Sequence, residues 1–483
     1  MTNSARTTVI RDAGWVIGFD SAAGRHCYRR DIDVAFTADR IVHVGPQFMG
    51  AVDDEVDGRS RMVMPGLINV HCHPSNAPLS KGYREEFGNP KMYMSPLYDR
   101  GRLMQSDDAG KRASAEYALC ELLKSGVTTV MDVSAPYDGW MDTLASSGIR
   151  AWAAATFASA RWETDNGHSV RYEWDESAGT RALDSAIDAA EAADAHPSGR
   201  LTGMLEPAQV DTCTEGLLLA ALTAVRDRGW RLQVHTSQSL VEFQEMTRRH
   251  GVSPIQWLNQ IGLLAPDVSL AHAMFIDSHS WTRWPTRLDL DLLADTGTGV
   301  AHCPGVFSRN GQTMEDVGSY IRRGVTLGVG TDSFPHNMLE EIRLAAVLGR
   351  VTTGIVQSVT TAEMFHAATV GGATILGRDD IGRLEVGAKA DVVLVDLEAP
   401  AMKPTRDPLR SLVYTAAERA VSDVYVDGVQ VVGDFEVLSL DWGDAANRVQ
   451  VAQRQAEVDS PNQHFAGKTA LEVSPLSLPD PTA

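Results

Sequence analysis

Residues 64–74 read MPGLINVHCHP: past Pro65 and Gly66, an apolar run carries the chain to His71 and His73. Residues i and i+2 of a strand share a face, so both imidazoles aim the same way. Alone, an H-x-H pair is common by chance, and two polar residues satisfied at a strand end would look identical. The pattern that follows gives the pair its weight. Short apolar runs alternate with amphipathic segments, and eight of the runs read as strands. They are Gly66–Val70, Thr128–Asp132, Arg150–Ala155, Leu201–Leu205, Arg231–His235, Val268–His272, Gly299–His302 and Thr326–Gly330. Helices are expected between them, among them Ala109–Ser125, Thr214–Arg228 and Ser239–Arg249. Eight such repeats predict an α/β fold, a (β/α)8 TIM-like barrel. An open doubly wound sheet uses the same alternation. However, no Gly-rich phosphate fingerprint follows the first strand, which speaks against its nucleotide-binding form.

The flanks read differently. The first 64 residues look like short strands and turns, with Thr8–Ile10, Ile32–Phe36 and Arg40–Val44 as strands. After the barrel region (65–380), Asp391–Val395 and Ser422–Val426 are rich in β-branched residues, and Asp427-Gly428 is a two-residue hairpin signal. Segments 1–64 and 381–440 are therefore expected to pair into one small composite β-sandwich domain. Residues 441–483 are expected to form a C-terminal helix and a loose Pro-rich tail.

Composition narrows the function classes. The 483 residues are 43% hydrophobic and 22% charged, ordinary for a globular chain. A net charge of −20 argues against nucleic acid or an anionic membrane surface as partner. The five cysteines are widely spaced without a C-x-x-C, so neither a zinc ribbon nor a disulfide framework is expected. With no signal-peptide pattern and no long apolar run, the reading is a soluble cytoplasmic protein. Its partners are expected to be a small-molecule substrate and further copies of itself.

The candidate chemistry lies at the strand ends. His235 closes RLQVH, His272 closes SLAH, and Asp332 follows LGVG and Thr331. A lone His at such a place is more often structural. If the barrel closes, the ends of the first, fifth, sixth and eighth strands converge on one mouth, where barrel enzymes keep their active sites. Neutral imidazoles with a carboxylate suit a borderline divalent metal such as zinc. Such an ion lowers the pKa of a bound water to roughly 7.

MPGLINVHCHP (64–74), VHTSQ (234–238), LAHAMFID (270–277), VAHCP (300–304), GVGTDSF (328–334) and GRDDIGRLEVGAKADVVLVDL (377–397) resemble, in order and spacing, the motifs of the amidohydrolase superfamily. The likeness is strongest to its triazine hydrolases and its cytosine- or adenosine-type deaminases, over roughly residues 30–435. It implies that His71, His73, His235 and Asp332 bind one divalent ion, zinc with cobalt, manganese or iron as alternatives. It also implies that His272 touches the metal water or the substrate. Asp332, at the last strand end opposite the His cluster, is expected to take the proton from that water as well as to bind the ion.

Two departures bear on the reaction. Two-metal members place a bridging Lys on the fourth strand, and LTGMLEP (201–207) has none, which implies a single ion. Its Glu206 reads as a buried or capping carboxylate. Deaminases of this branch carry Glu three residues after the fifth-strand His, where this chain has Gln238. A carboxamide does not exchange a proton as a carboxylic acid does. Gln238 is therefore expected to orient substrate, and the leading expectation is hydrolysis of an amide, urea or carbamate-like bond. Residues 80–100, SKGYREEFGNPKMYMSPLYDR, resemble the phenylurea and thiocarbamate hydrolases of the superfamily. The alternative is an aminohydrolase acting on a nitrogen heterocycle; a third reading, a non-catalytic barrel, conflicts with the intact ligand set. His302, Arg161, Trp162 and His336 are further candidates for substrate contact. The bland readings are packing for His302, a surface position for Arg161 and Trp162, and a helix cap for His336 with Asn337.

Overall fold

The computed structural model describes residues 6–83, 89–100 and 103–480. Eight parallel strands follow one another in a single sheet. They are β1 Leu67–Cys72, β2 Val127–Ser134, β3 Arg150–Phe157, β4 Leu201–Pro207, β5 Leu232–Thr236, β6 Val268–His272, β7 Gly299–His302 and β8 Leu327–Val329. The sheet closes where Cys72 bridges Asp332. There the Asp332 N–H donates to the His71 carbonyl and the His73 N–H to the Asp332 carbonyl, both at 2.9 Å. All eight expected strands are present. The chain is thus a (β/α)8 barrel, and its seam passes through three of the candidate site residues.

The barrel strands are buried on both faces, which is why they read as apolar runs rather than as alternating ones. Val70, Met131, Val133, Trp152, Ala154 and Met204 meet on the inside. Ala151, Ala153, Leu201 and Leu205 instead face the surrounding helices. On β1 the alternation breaks, because the register shifts between Asn69 and Cys72. Ile68 and Val70 belong to the inner cluster, whereas Cys72 joins the outer one. A bulge of this kind re-aims side chains, and here it turns His71 and His73 toward the mouth.

Both ends of the chain build the second layer. Arg61–Pro65 pairs antiparallel with Val392–Asp396, which joins the N-terminal and C-terminal strands in one seven-stranded sheet. A four-stranded sheet, including Thr7–Ala13, Ile32–Thr37 and Arg40–Gly45, packs against it. Ile10, Val34, Phe36, Val63, Val392 and Leu394 fill the space between them. The expected hairpin is present: Val426 pairs with Val429 across Asp427 and Gly428, both at positive φ (48° and 74°). Trp15–Asp20, Arg25–Arg29 and Asp54–Asp57 are strands that the sequence reading did not pick out. The helix Trp442–Gln463 packs on Asp108–Lys124, sharing Ala113, Val449 and Ala456 in one small core. Within the 80–100 stretch, residues 84–88 lie outside the described residues. No helix among the described residues is long and apolar enough to cross a membrane.

Candidate active site

His71 and His73 from β1, His235 from β5, His272 from β6 and Asp332 just past β8 meet at one end of the barrel. Ring centroids of His71 and His235 are 4.7 Å apart, and those of His71 and His272 are 5.1 Å apart. His235 Nε2 lies 3.3 Å from His73 Nε2, and His73 Nε2 lies 3.4 Å from Asp332 Oδ1. His272 Nε2 faces the other carboxylate oxygen at 3.8 Å.

The outward nitrogens explain the inward ones. His71 Nδ1 lies 2.6 Å from Gln233 Oε1, His73 Nδ1 2.9 Å from the Val133 carbonyl and His235 Nδ1 2.5 Å from the Ala208 carbonyl. Each partner atom is an acceptor, so each Nδ1 carries the hydrogen and each Nε2 presents a lone pair. Burial also drives these rings toward the neutral form: it lowers the pKa of His71 and His235, and that of His272 to about 3. Two Nε2 lone pairs at 3.3 Å have nothing to donate to each other, and His71 Nε2 is buried without a partner. A tetrahedral zinc with ligands at about 2.0–2.1 Å separates adjacent ligand atoms by about 3.3 Å. The donor set therefore fits a divalent cation. Ligand atoms of His71, His73 and Asp332, and those of His71, His235 and His272, each lie within 4.8 Å of one another.

The backbone is bent to reach this arrangement. Asp332, His272 and Ser237 all sit at positive φ (57°, 78° and 56°) although each carries a Cβ. Such conformations cost on the order of 1–3 kcal/mol each and cluster at functional sites. At Asp332 the seam hydrogen bonds hold the conformation. At Ser237 the fully buried Glu242 carboxyl does, accepting from the backbone N–H groups of Ser237 and Gln238.

A cavity of about 460 Å³ opens above the cluster, walled by His73, His235, Gln238, His272 and Asp332 with Leu97, Met104, Trp162 and Phe307. Gln238 is 5% exposed. Arg161 and Trp162, which follow β3 in the chain, reach the cavity from a β-hairpin. Trp162 Nε1 is tied to Asp211 Oδ2 at 2.9 Å. The Arg161 side chain is 74% exposed and paired with Glu173 at 2.9 Å.

His302 and His336 are not among the residues that line this cavity. His302 is buried, and burial takes its pKa to about 4. The chain turns inward after Asp332, so His336 is fully buried with Nδ1 3.3 Å from Glu121 Oε2, on the helix Asp108–Lys124. Asn337 caps the next helix through Leu339 and Glu340. Glu206 is fully buried, with Oε1 3.0 Å from His235 Nδ1, and burial pushes its pKa up. The sequence reading passed over Gln233, although it shares a strand face with His235 two residues on. It also passed over Phe307, whose ring meets His272 edge-on at 4.7 Å.

The model of the amidohydrolase family matches residues 62–431. The 5-methylthioadenosine/S-adenosylhomocysteine deaminase of Halobacterium salinarum is 31% identical over 432 residues, covering 89% of this chain and 94% of that protein. The 5'-deoxyadenosine deaminase of Methanosarcina mazei is 26% identical over 422 residues, covering 86% and 91%. Among solved structures, a zinc-bound adenosine deaminase from Xanthomonas campestris superposes with a TM-score of 0.80 at 22% identity, covering 93% of this chain and 98% of that one. The atrazine chlorohydrolase of Arthrobacter aurescens, complexed with zinc, superposes with a TM-score of 0.77 at 23% identity, covering 92% and 100%.

Proposed function

The chain belongs to the amidohydrolase family, and on that premise we propose that this metal-dependent hydrolase of carbon–nitrogen bonds acts at an acyl carbon. Its substrate is an amide, urea or carbamate-like small molecule, and it releases an amine, or a thiol from a thiocarbamate. The observation that carries this reading is Gln238, a carboxamide at the cavity wall three residues after His235.

His71, His73, His235 and Asp332 are assigned as the ligands of one zinc ion, a choice supported by the donor set and by zinc in two structural neighbours. When bound, the ion supplies Lewis acidity, which makes water nucleophilic at neutral pH and polarises a carbonyl. Asp332 accepts the proton from the attacking water through the oxygen not facing His73 and returns it to the leaving nitrogen or sulfur. His272, facing that same oxygen at 3.8 Å, donates a hydrogen bond to the carbonyl oxygen as negative charge develops there. Gln238 orients the substrate by hydrogen bonds, and Trp162 and Phe307 hold its apolar part. Attack on an aromatic ring carbon also requires a proton at the ring nitrogen, which a carboxamide cannot deliver.

A second reading has its own support, since the relatives above are named as deaminases of adenosine-type nucleosides. In it, the chain is an aminohydrolase of a nitrogen heterocycle and takes its ring proton from a group other than Gln238. A screen separates the two. Ureas, carbamates, anilides, thiocarbamates, adenosine-type nucleosides and aminated pyrimidines or triazines are offered to the zinc-loaded enzyme, and amine, thiol or ammonia is scored. Turnover among the acyl compounds is expected. Ammonia from a ring substrate with no turnover of any acyl compound replaces the first reading with the second.

A further inference from the structure

Two of the three ligand histidines, His73 and His235, give their outward N–H to main-chain carbonyls, which no substitution removes. His71 is held by a side chain. Gln233 on β5 is fully buried and reaches across the barrel interior, so that its Oε1 lies 2.6 Å from His71 Nδ1. Its orientation is not arbitrary. Gln233 Nε2 donates to the Val70 carbonyl at 3.2 Å and to Ser269 Oγ at 3.0 Å. A flipped carboxamide would set an oxygen against the Val70 carbonyl and an N–H₂ against His71. The two donor bonds therefore leave the oxygen toward His71, the hydrogen on His71 Nδ1 and the lone pair on His71 Nε2.

We propose that Gln233 is the positioning residue of the metal centre: it fixes the tautomer and ring plane of His71, and with them the affinity for the divalent ion. The role rests on the assignment of His71 as a ligand made above. It follows from the contacts that Gln233 joins β1, β5 and β6 in one hydrogen-bonded cross-brace beneath the ligands. A neutral acceptor does this without adding a second buried negative charge beside Asp332. Outer partners of metal-bound histidines typically govern affinity by roughly 10- to 100-fold.

The test uses the full-length chain and zinc itself. The dissociation constant is read by competition with a chelator of known affinity, and the melting temperature of the metal-free protein is read in parallel. Gln233→Met keeps side-chain length but removes the acceptor, and is expected to weaken zinc binding roughly 10- to 100-fold. Gln233→Glu keeps an oxygen facing His71 but loses both donor bonds and adds a buried acid, so it is expected to recover only part of the affinity lost in Gln233→Met. If Gln233→Met does not fold, Ser269→Ala takes its place: it frees one of the two bonds that hold the carboxamide and is expected to weaken zinc binding several-fold. Zinc affinity within about twofold of wild type in the variant that folds, with only the metal-free melting temperature lowered, means that Gln233 merely packs and overturns the proposal. Wild-type protein that binds no zinc overturns the ligand assignment as well, so the two failures are told apart.

Discussion

Asp332 faces two ways: Oδ1 lies 3.4 Å from His73 Nε2 and Oδ2 lies 3.8 Å from His272 Nε2. In the proposed mechanism one oxygen binds the ion and the other holds a proton, which divides the expected effects of neighbouring substitutions. Asp332→Asn keeps the shape and loses the base, so kcat is expected to fall by about 10²- to 10⁴-fold in protein that still holds its metal. His272→Ala is expected to lose rate while one zinc per chain survives mild dialysis, whereas His235→Ala loses the zinc. Elemental analysis beside kcat reads both. Metal loss from His272→Ala equal to that from His235→Ala would move His272 into the ligand set, which its place near His71 and His235 also permits. The residues of this cluster were legible in sequence because each one ends an apolar run. Gln233 was not, since one polar residue inside such a run looks like an interruption. Spacing alone did not separate cavity from packing for His302, the last residue of β7, or for His336, which follows the turn after Asp332.

Elements explain the rest of the cavity. The eight barrel strands could be read because burial on both faces makes each one an apolar run. The hairpin Ala160–Glu163 with Arg171–Trp174 was missed: four-residue strands are too short to show a period, and their side chains are mixed. Its anchorage shows only in three dimensions. Trp162 Nε1 and Tyr172 OH, opposite each other in the hairpin, both donate to Asp211 Oδ2, at 2.9 and 2.8 Å. The Trp162 ring also meets Tyr98 edge-on at 4.9 Å. Asp211 is fully buried, so these donors compensate its desolvation. Trp162→Phe retains the apolar wall and removes one donor. It is expected to raise KM several-fold with a smaller change in kcat, and to cost about 1–3 kcal/mol of stability from the under-satisfied carboxylate. An unchanged KM on any substrate found by the screen would remove the hairpin from the binding wall.

At the scale of the whole molecule, the question is what fixes the β-domain to the barrel. One joint is His26, packed against Phe19 and Phe365, with Nε2 2.9 Å from Thr369 Oγ1. Burial, with the charges of His366 and Arg383, lowers its pKa to about 3. The unfolded chain takes up this proton near pH 6.5 and the folded chain only near 3. The contribution is thus complete above about pH 6.5 and is lost as pH falls toward 3. His26→Gln is expected to flatten the acid side of the stability profile by up to about 1.4 kcal/mol per pH unit between 6.5 and 4, read from urea midpoints. An unchanged slope would mean that His26 titrates normally in the folded protein.

Another joint is Arg150, the first residue of β3, at the barrel end opposite the candidate ligands. Its guanidinium is 2% exposed and meets Asp391 at 3.1 Å and Asp427 at 2.5 Å. Asp391 immediately precedes the strand Val392–Asp396, which pairs with the N-terminal segment, and Asp427 sits in the hairpin turn, so three distant parts of the chain meet on one cation. Removing one partner of a buried ion network strands the others, a penalty of about 3–5 kcal/mol, whereas replacing the whole set by neutral groups is often close to neutral. Arg150→Met is therefore expected to lower the urea midpoint by about that much, and Arg150→Met with Asp391→Asn and Asp427→Asn to recover much of the loss. Both variants should keep wild-type zinc per chain and turnover, because the network lies a full strand length from Asp332. A triple variant no more stable than Arg150→Met would mean that the guanidinium matters through packing rather than charge. Loss of zinc in folded Arg150→Met would mean that the two ends of the barrel are coupled.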